Sequence, residues 1–307
     1  RDNNYSKRYR PSTFRAGHKY ANILFKVPQS RQKSQHGIPP MSKVQTALVT
    51  GASGGIGLEI VKLLAADGYN LVLVARSQST LENLAEELKG RGSPHVTVLP
   101  EDLLDAAAPA RLEAELAERG ISLDMLVNNA GVLEYGRFQD LGEAEQLRML
   151  ALNNEALVRM TYRFLPGFLA QGSGGILNVA SIASFQPVPM LAVYAATKAF
   201  VLSFTEALSV EVGPSGVNMT ALCPGVTDTG MVSAVSDDDK SGVSIPSFAR
   251  GNPVDVAKAG LQALKRGQVI VVPGIGNKMA VNSIRMTPKW AFRKNMGLVT
   301  RFLTKGK

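Results

Sequence analysis

Apolar and polar positions follow two different periods along most of the chain. Short apolar runs, typical of strands buried on both faces, are separated by stretches in which apolar residues recur three and four positions apart, as in amphipathic helices. The predicted strands are Thr46–Thr50, Leu71–Ala75, His95–Leu99, Met125–Asn128, Ile176–Ala180, Asn218–Leu222 and Gln268–Val272. The predicted helices cover about 56–67, 79–89, 106–119, 143–170 with a break near 153, 194–212 and 253–266. This alternation predicts an α/β fold, a single-domain Rossmann-type doubly wound parallel sheet of about seven strands with helices on both faces.

Composition and charge divide the 307 residues into three segments, 1–40, 41–284 and 285–307. Hydrophobic residues make up 45% of the chain and charged residues 19%, which excludes global disorder. The net charge of +9 lies at the two ends, because residues 1–40 carry nine basic residues and one acid and residues 285–307 carry seven basic residues and no acid. The body, 41–284, is mildly acidic, so its charge does not favour a nucleic-acid partner.

Residues 1–40 have three interpretations. The segment has no hydrophobic periodicity and no long apolar run, which argues against a secretory signal. Its arginines, lysines and scattered serines are typical of an organelle transit peptide, whereas the simpler interpretations are an added leader or residues upstream of a true start at Met41. We expect a disordered segment and a cytoplasmic protein, or an organelle-targeted protein if the segment is a transit peptide.

The small number of cysteines and histidines limits the disulfides and metal sites that the chain can form. Cys223 is the one cysteine, so an internal disulfide is excluded, and we expect a core thiol because it ends an apolar strand. His18, His36 and His95 are the three histidines, and two of them lie in the first forty residues. We therefore expect no metal site.

A glycine-rich turn lies between the first predicted strand and the first predicted helix. Glycines permit a tight turn and let backbone N–H groups approach a pyrophosphate, which then lies at the positive helix N-terminus. The glycine spacing differs from the G-x-G-x-x-G fingerprint, and the alternative is an ordinary turn. The candidate cofactor-binding residues of the turn are Gly51, Ser53, Gly55, Ile56 and Gly57.

Arg76 directly follows the second predicted strand. In NAD sites of this type an acid near this point binds the ribose 2′-hydroxyl, but Ala75 and Arg76 stand here. A guanidinium can clamp a 2′-phosphate, so NADP(H) is favoured over NAD(H); the alternative is a solvated arginine. Asp102, after the third strand, is expected either to accept a hydrogen bond from an adenine amine or to cap the next helix, for which Asp105 is better placed.

Tyr194 and Lys198 stand four residues apart, which on a helix places both side chains on one face. A phenol has a pKa near 10, so acid/base chemistry near neutrality requires a lower pKa, and a nearby ammonium has the right sign to lower it. The helix 194–212 is so apolar that we expect it to be buried nearly all round. Ser181 ends the preceding strand, where its hydroxyl can hold a carbonyl oxygen; the alternative is a cap on the next turn, a role that Ser184 also fits.

Five motifs occur in the order and spacing of a known family. They are Thr50-Gly-x-x-x-Gly-Ile-Gly57, Asn128-Asn129-Ala130-Gly131, Ser181, Tyr194-x-x-x-Lys198 and Pro224-Gly225. Over about residues 44–275 the chain therefore resembles the short-chain dehydrogenase/reductase family. The resemblance implies an NAD(P)-binding catalytic domain over 41–284. It implies that Tyr194 is the general acid/base, that Ser181 orients the carbonyl, and that Lys198 holds the nicotinamide ribose and lowers the pKa of Tyr194.

The same resemblance implies further site residues. The family holds a proton-relay water with an asparagine before the fifth strand; Asn153 and Asn154 compete for that role, and the spacing to Pro166 favours Asn153. The segment beginning at Asn128 is expected to steady the central strand. The remaining implied cofactor contacts are Asn129, Ala130, Gly131, Tyr194, Lys198, Pro224, Gly225 and Thr229.

The implied activity is reversible hydride transfer between NADP(H) and a carbonyl or secondary alcohol. The expected pocket residues are apolar, which favours a hydrophobic small-molecule ketone, aldehyde or alcohol; alternatively, half of them belong to the core. They are Val132, Leu133, Phe185, Val188, Met190, Leu191 and Met231. Two other functions are a non-catalytic NADP(H)-binding regulator, against which the complete catalytic set argues, and a nucleic-acid binder, which rests on residues 1–40 alone.

Three segments carry expectations about surfaces. The helix 194–212 has more apolar surface than its own sheet covers, so with the helix near 155–170 we expect a homodimer or homotetramer interface. The segment 285–307 is expected to be a basic amphipathic helix or tail, either in weak peripheral contact with an anionic membrane or docked on the body with its lysines in solvent. The irregular stretch 226–250 is expected to form a lid.

Overall fold

Seven parallel strands form one sheet in the order β3-β2-β1-β4-β5-β6-β7. The computed structural model describes residues 44–228, 250–288 and 290–291, which belong to the second of the two units into which the chain divides, Lys43–Lys307. The strands are β1 (Thr46–Thr50), β2 (Asn70–Ala75), β3 (Val96–Pro100), β4 (Met125–Asn128), β5 (Gly174–Val179), β6 (Val217–Leu222) and β7 (Ile270–Val271). The predicted doubly wound α/β fold is confirmed; β1 and β4 have the predicted bounds, and the ends of the other strands differ from the prediction by at most two residues.

Helices cover both faces of this sheet. They are α1 (Gly55–Ala66), α2 (Gln78–Lys89), α3 (Ala108–Glu118), α4 (Glu143–Leu150), α5 (Ala156–Gln171), α6 (Ala192–Val212), α7 (Pro253–Lys265) and α8 (Ile275–Met286). The predicted break near residue 153 is a π-helical turn, Ala151–Glu155, which joins α4 to α5. The pattern does not predict α8, because Gly274 and Gly276 are typical of a loop and most of the helix faces outward.

Alternate residues of each strand pack into two separate core layers. In β1, Ala47 and Val49 belong to the layer formed with α1, α2 and α7, whereas Leu48 belongs to the layer formed with α3 and α5. Successive side chains of a strand point to opposite faces, so both layers are filled from the same short run. Each such buried aliphatic side chain stabilises the fold by about 1.5–3 kcal/mol. This double burial explains the continuous apolar strands.

Helix α6 departs from the prediction of burial nearly all round. Lys198, Val201 and Thr205 are buried, but Phe200 is 44% exposed and Val210 is 78% exposed. The sheet covers only one side of a helix of this length, so apolar side chains remain on its outer side.

The two ends of the predicted body also differ from expectation. Helix α8 spans positions 284 and 285, where the tail 285–307 is expected to begin. Most of that tail and most of the expected lid, residues 229–249, lie outside the described residues. Within the described ranges, no helix is both long enough and apolar enough to cross a membrane.

A chain of buried amides and hydroxyls joins β4 and β5 to the helices above them. Asn128 Nδ2 donates to Asn178 Oδ1 at 2.9 Å and to Thr161 Oγ1 at 3.2 Å. Asn178 Nδ2 donates in turn to Thr205 Oγ1 of α6 at 2.9 Å. Because these side chains are buried, their hydrogen bonds are worth more than at the surface. The network holds α5 and α6 in register with the central strands.

Candidate active site

The candidate site lies where the strand order reverses, between β1 and β4. Open α/β sheets bind ligands at such a switch point, beyond the carboxyl ends of the strands. A cavity of about 900 Å³ occupies this place. Its walls include Arg76 and Asp102 beyond β2 and β3, the glycine-rich turn beyond β1, and Tyr194 and Pro224 beyond β5 and β6. One groove therefore connects all the predicted motifs.

The glycine-rich turn adopts a backbone that needs glycine. Gly51 and Gly55 have φ of +64° and +55°, in the left-handed region that other residues rarely adopt. A Cβ on Gly54 would meet nothing within 4 Å, so the turn is open on this side. Gly57 was expected to contact the cofactor, but it does not line the cavity. A Cβ at this position would collide with the Gly51 carbonyl oxygen and the Asn129 side chain. Gly57 therefore permits close packing and is not a direct cofactor contact.

The N-terminus of α1 supplies donors to this groove. Gly54 is the N-cap and no side chain caps the helix, so the first-turn N–H groups lack helical acceptors. Ser53, Gly55 and Ile56 line the cavity at the same place. Free N–H groups and a positive helix end together favour an anion such as a pyrophosphate. The residues present therefore fit a dinucleotide.

A clamp between Thr50 and the segment after β4 holds the two sides of the switch point together. Thr50 Oγ1 donates to the Val127 carbonyl oxygen at 3.1 Å and accepts the N–H groups of Asn129 at 3.0 Å and Ala130 at 3.1 Å. Asn129 Nδ2 donates to the carbonyl oxygens of Thr50 at 3.0 Å and Gly51 at 3.1 Å. Asn129, Ala130 and Gly131 line the groove from this fixed position.

Arg76 and Asp102 line the groove at the ends of β2 and β3. Arg76 is exposed and has no hydrogen bond or ion pair to any part of the chain that the structure describes. Asp102 Oδ1 accepts the Leu104 N–H at 3.0 Å, which forms a local turn. Asp105 Oδ1 accepts the Ala107 N–H at 2.9 Å just before α3, but the N-cap of α3 is Ala107 and no side chain caps the helix, so neither aspartate is its cap.

Arg148 of α4 is a cavity residue that the sequence motifs do not single out. It is half-buried and, among residues 44–228 and 250–288, it makes no hydrogen bond or ion pair. A partly desolvated guanidinium without a partner is unfavourable, so it is most useful where an anion binds. One helical turn later, Leu152 also lines the cavity. That four-residue spacing is the only signal in the sequence that links the two positions.

The cap predicted for Ser181 is present, and Ser181 also lies at the cavity, where its carbonyl-orienting role remains a prediction. Its Oγ accepts the Ala183 N–H at 3.1 Å and caps a short 3₁₀ helix, Ile182–Phe185, while the same side chain lines the cavity near Tyr194. Ser184 completes the cap, because its Oγ accepts the Ser181 N–H at 3.3 Å and donates to the Lys198 carbonyl oxygen at 2.8 Å. The turn after β5 is thus attached to α6.

Lys198 is buried in α6, with 6% of its surface exposed. Its Nζ donates to the Val179 carbonyl oxygen at 2.8 Å and lies 5.9 Å from the centre of the Tyr194 ring. Burial lowers the pKa of Lys198 to about 8, because an ammonium loses hydration there.

The pKa of Tyr194 moves opposite to the expectation. Burial raises it, and the neighbouring Ser181 side chain lowers it only in part. Lys198 is not among the groups that shift this pKa, since its ammonium is directed to the Val179 carbonyl oxygen. At neutral pH Tyr194 is therefore a protonated phenol.

Asn153 lies in the π-helical turn below the cavity wall and is 1% exposed. Its Oδ1 accepts the Val132 N–H at 2.9 Å, and its Nδ2 donates to the Val132 carbonyl oxygen at 2.9 Å and to Thr197 Oγ1 at 3.1 Å. Asn154 Nδ2 donates to the Thr197 carbonyl oxygen of α6 at 2.9 Å. Both polar atoms of the Asn153 side-chain amide are hydrogen-bonded, so the side chain joins the loop after β4 to α6, and it does not line the cavity.

Four of the seven residues expected in the substrate pocket line the cavity. Val132, Leu133, Val188 and Leu191 line the cavity. Phe185 does not, because it packs against the core beside α6 and carries the Arg285 guanidinium over its ring at 4.9 Å. Met190 does not line it either; its φ is +68° and its carbonyl oxygen accepts the Gly136 N–H at 2.9 Å. Met231 and Thr229 lie outside the described residues.

Cys223 directly precedes the cavity residue Pro224 and is buried. It is fully buried, and burial raises the pKa of its thiol to about 12. A thiol that remains protonated is a poor nucleophile. The prediction of a core thiol is confirmed.

Comparison with known proteins agrees with this geometry. The family model described as short chain dehydrogenase matches residues 45–240, well over half of the chain. Ketoacyl reductase HetN of Nostoc sp. is 33% identical over 231 residues, which cover 74% of this chain and 78% of that protein. Very-long-chain 3-oxoacyl-CoA reductase of Phaeosphaeria nodorum is 31% identical over 261 residues, which cover 84% and 71% of the two chains.

A solved structure extends the agreement to the cofactor groove. The short-chain dehydrogenase from Sphingobium yanoikuyae in complex with NADPH is similar with a TM-score of 0.68 at 31% identity, covering 79% of this chain and 93% of that one. That protein is described with NADPH bound, and the open glycine-rich turn and uncapped α1 of this chain are compatible with a dinucleotide. The chain belongs to the short-chain dehydrogenase family, and it is an NAD(P)-dependent oxidoreductase.

Proposed function

We propose that this protein is an NADPH-dependent reductase of hydrophobic ketones in which Tyr194 delivers the proton. The observation that carries the proposal is the gathering of Ser181, Tyr194 and Lys198 on one wall of a cavity whose adjacent wall is apolar. Burying an ammonium beside a phenol carries a desolvation cost, and a catalytic role for both groups explains why the fold tolerates it. A protein that only binds the cofactor has no need for this arrangement.

Tyr194 is suited to donate a proton. Because burial raises its pKa, the phenol keeps its proton at neutral pH until negative charge develops on the substrate oxygen. The Ser181 Oγ accepts the Ala183 N–H, which leaves its own O–H to orient the carbonyl oxygen. Alcohol oxidation would require a phenolate, which burial disfavours. The protonated phenol therefore suits carbonyl reduction at neutral pH.

Lys198 is suited to hold the cofactor beside Tyr194. With its pKa at about 8, it is largely an ammonium at neutral pH, 5.9 Å from the Tyr194 ring centre. Because its ammonium is directed to the Val179 carbonyl oxygen, it does not shift the pKa of Tyr194, and we propose that it donates hydrogen bonds to the nicotinamide ribose. A Cβ on Gly131 would lie 3.6 Å from Lys198 Nζ, so the ammonium also borders the cofactor groove. When bound, NADPH supplies the hydride to the carbonyl carbon.

The charges of the groove favour NADP(H) over NAD(H). Arg76 is an available cation at the end of β2, and Arg148 is a second cation on the cavity wall. Glu101 also lines the groove, but its carboxylate is bound by Arg111 at 2.6 and 2.9 Å, which compensates its charge. A 2′-phosphate therefore meets more positive than negative charge. The solved relative with NADPH supports this preference.

The substrate class follows from the apolar wall and from the names of relatives. Leu133, Val188 and Leu191 border the cavity near Ser181 and Tyr194, and they suit an acyl chain or another apolar ketone. The two sequence relatives are named as reductases of ketoacyl or 3-oxoacyl substrates. We propose a lipophilic carbonyl compound of this kind as the substrate.

Assembly as a homodimer or homotetramer is the accompanying proposal. Val210 and Phe200 project from α6, and Tyr162, 77% exposed, and Leu169, 41% exposed, project from α5. Phe200 stacks on Phe204 at 5.9 Å between ring centres, which gives this surface a flat aromatic part. Exposed apolar side chains on two long helices favour burial against a second copy.

Replacing Tyr194 by phenylalanine tests the mechanism. Tyr194→Phe removes the proton donor without changing the cavity, so kcat for reduction of a lipophilic ketone should fall by about 10²–10⁴-fold while NADPH binding is kept. Tyr162→Phe, on the surface of α5, is the matched control and should be fully active. Unchanged activity in Tyr194→Phe would refute the assignment. NADPH binding by the wild type without turnover of any carbonyl in a broad panel would support the non-catalytic regulator instead.

Replacing Lys198 by methionine tests its buried charge through stability. The unfolded lysine has a pKa near 10.5 and the native one about 8. Between these pH values the unfolded chain binds more protons, so wild-type stability rises with pH relative to Lys198→Met, by on the order of 3 kcal/mol in total. Urea unfolding at several pH values from 7 to 10.5 measures this difference. Lys258→Met, at an exposed position of α7, should give no such trend, and parallel curves for Lys198→Met would contradict the buried ammonium.

Replacing Arg76 by alanine tests the cofactor preference. Loss of a charge-assisted hydrogen bond to a 2′-phosphate should raise the Kd for NADPH by about 10–100-fold and leave the Kd for NADH nearly unchanged. Arg91→Ala, an exposed arginine paired with Glu87 at 2.9 Å, is the control. Fluorescence titration with both cofactors measures the change. If the NADPH preference survives in Arg76→Ala, the clamp is refuted and Arg148 is the remaining cation to test.

Replacing Val210 by glutamate tests the assembly. A charge in the middle of an apolar contact between copies is costly, so Val210→Glu should dissociate the oligomer by at least about tenfold in Kd, as seen by sedimentation velocity. Phe138→Glu adds the same charge at a residue that is 63% exposed and outside α5 and α6, and it should leave the oligomer intact. A wild-type monomer at micromolar concentration would rule out the proposed interface.

A further inference from the structure

We propose that α8 and the residues just after it form a docking surface for an anionic lipid bilayer, placed beside the active site. The surface consists of Ile275, Met279, Met286 and Trp290 with the basic residues next to them. The inference rests on exposure, position and charge, so it stands or falls separately from the proposed reaction.

The apolar residues of α8 form an exposed stripe. Ile275 is 79% exposed, Met279 66% and Met286 86%. With about 3.6 residues per turn, these three positions fall within about 40° of one another around the helix axis. Trp290, which follows Met286 by four residues, is 66% exposed. Single exposed apolar residues are common, but four large ones along one short segment indicate an interaction surface.

The opposite side of α8 is fixed to the walls of the active site. Val281 is buried, and Asn277 Nδ2 donates to the Pro273 carbonyl oxygen at 2.8 Å. The Asn277 side chain also lies against Gly225 in the loop after β6, where a Cβ would come within 2.5 Å of Nδ2. Arg285 lies over the ring of Phe185 in the turn after Ser181. The stripe is therefore the side of α8 that the fold leaves uncovered, next to the cavity.

The charge along the stripe favours an anionic partner. Residues 275–291, which contain the stripe, have three basic residues and no acidic residue. Lys278 and Arg285 lie on α8 itself, and Lys289 precedes Trp290. A second copy would bring two like-charged surfaces together, and a nucleic acid would not require the apolar stripe. Exposed apolar side chains combined with basic residues are the features by which a helix lies in the interface of an anionic membrane.

Docking by this face gives the active site a direct source of lipophilic substrate. Because α8 contacts both the loop at Gly225 and the turn at Phe185, the cavity is held close to the bound surface. A ketone dissolved in the bilayer then reaches the apolar wall over a short path.

The only tryptophan of the chain, Trp290, provides the test. In the full-length protein, its emission should shift to the blue and gain intensity with vesicles of phosphatidylglycerol and phosphatidylcholine, and not with phosphatidylcholine alone. Raising the ionic strength should reverse the shift, because salt screens the attraction. The double variant Met279→Glu/Met286→Glu should sediment with these vesicles at least about tenfold less well. Its thermal unfolding midpoint and its affinity for NADPH should match those of the wild type, which shows that it folds.

Phe138→Glu is the matched control, since it replaces an exposed apolar residue far from α8 in sequence and should bind vesicles like the wild type. Absence of a Trp290 shift with anionic vesicles would overturn the proposal. So would a shift that appears without vesicles as protein concentration rises, which would assign the stripe to a second copy. A response to single-stranded RNA and not to vesicles would overturn it as well.

Discussion

The hydroxyl of Thr50 is the contact on which the active site depends. It bonds three backbone groups of the segment Val127–Ala130, so the ends of β1 and β4 are tied at the point where their loops separate. Asn129 adds two bonds back to the glycine-rich turn. Buried hydrogen bonds of this kind are costly to leave unmade, which makes the junction rigid. The glycine-rich turn and the segment after β4, which form the two sides of the groove at the switch point, are held in place by this junction.

Helix α6 carries Tyr194 and Lys198 and is itself held in place by hydrogen bonds. Its buried polar residues are bonded to three separate elements: Thr205 to β5 through Asn178, Thr197 to the π-helical turn through Asn153, and the Lys198 carbonyl to the turn after β5 through Ser184. A helix tied at three points along one side cannot slide or rotate, so the distance between Tyr194 and Ser181 is set by the core. The desolvation that this burial imposes on Lys198 is offset only in part by its bond to Val179.

Local sequence predicted the parts of the site that local chemistry determines. Gly51 and Gly55 have positive φ, and Tyr194 and Lys198 share a helix face, so spacing alone identifies them. Arg148 escaped prediction because only the packing of α4 brings it to the cavity. The direction of the Tyr194 pKa escaped because desolvation depends on the whole fold, and Phe185 was misplaced because Arg285, a hundred positions later, covers its ring. Tertiary contacts decide each of these three cases.

Helix α8 shows why an outward-facing helix is hard to see in a sequence. The hydrophobic period predicts helices by their buried side, yet in α8 only Val281 is fully buried while its largest apolar residues face outward. When apolar residues lie on both sides of a helix, their spacing does not follow the helical period. Gly274 and Gly276 further favour a loop at this position. The stability of such a helix comes from a few contacts with the loops around the active site, including Asn277 with Pro273 and Arg285 with Phe185. A partner that binds the outer side of α8 therefore binds a helix whose inner side contacts the loops around the cavity.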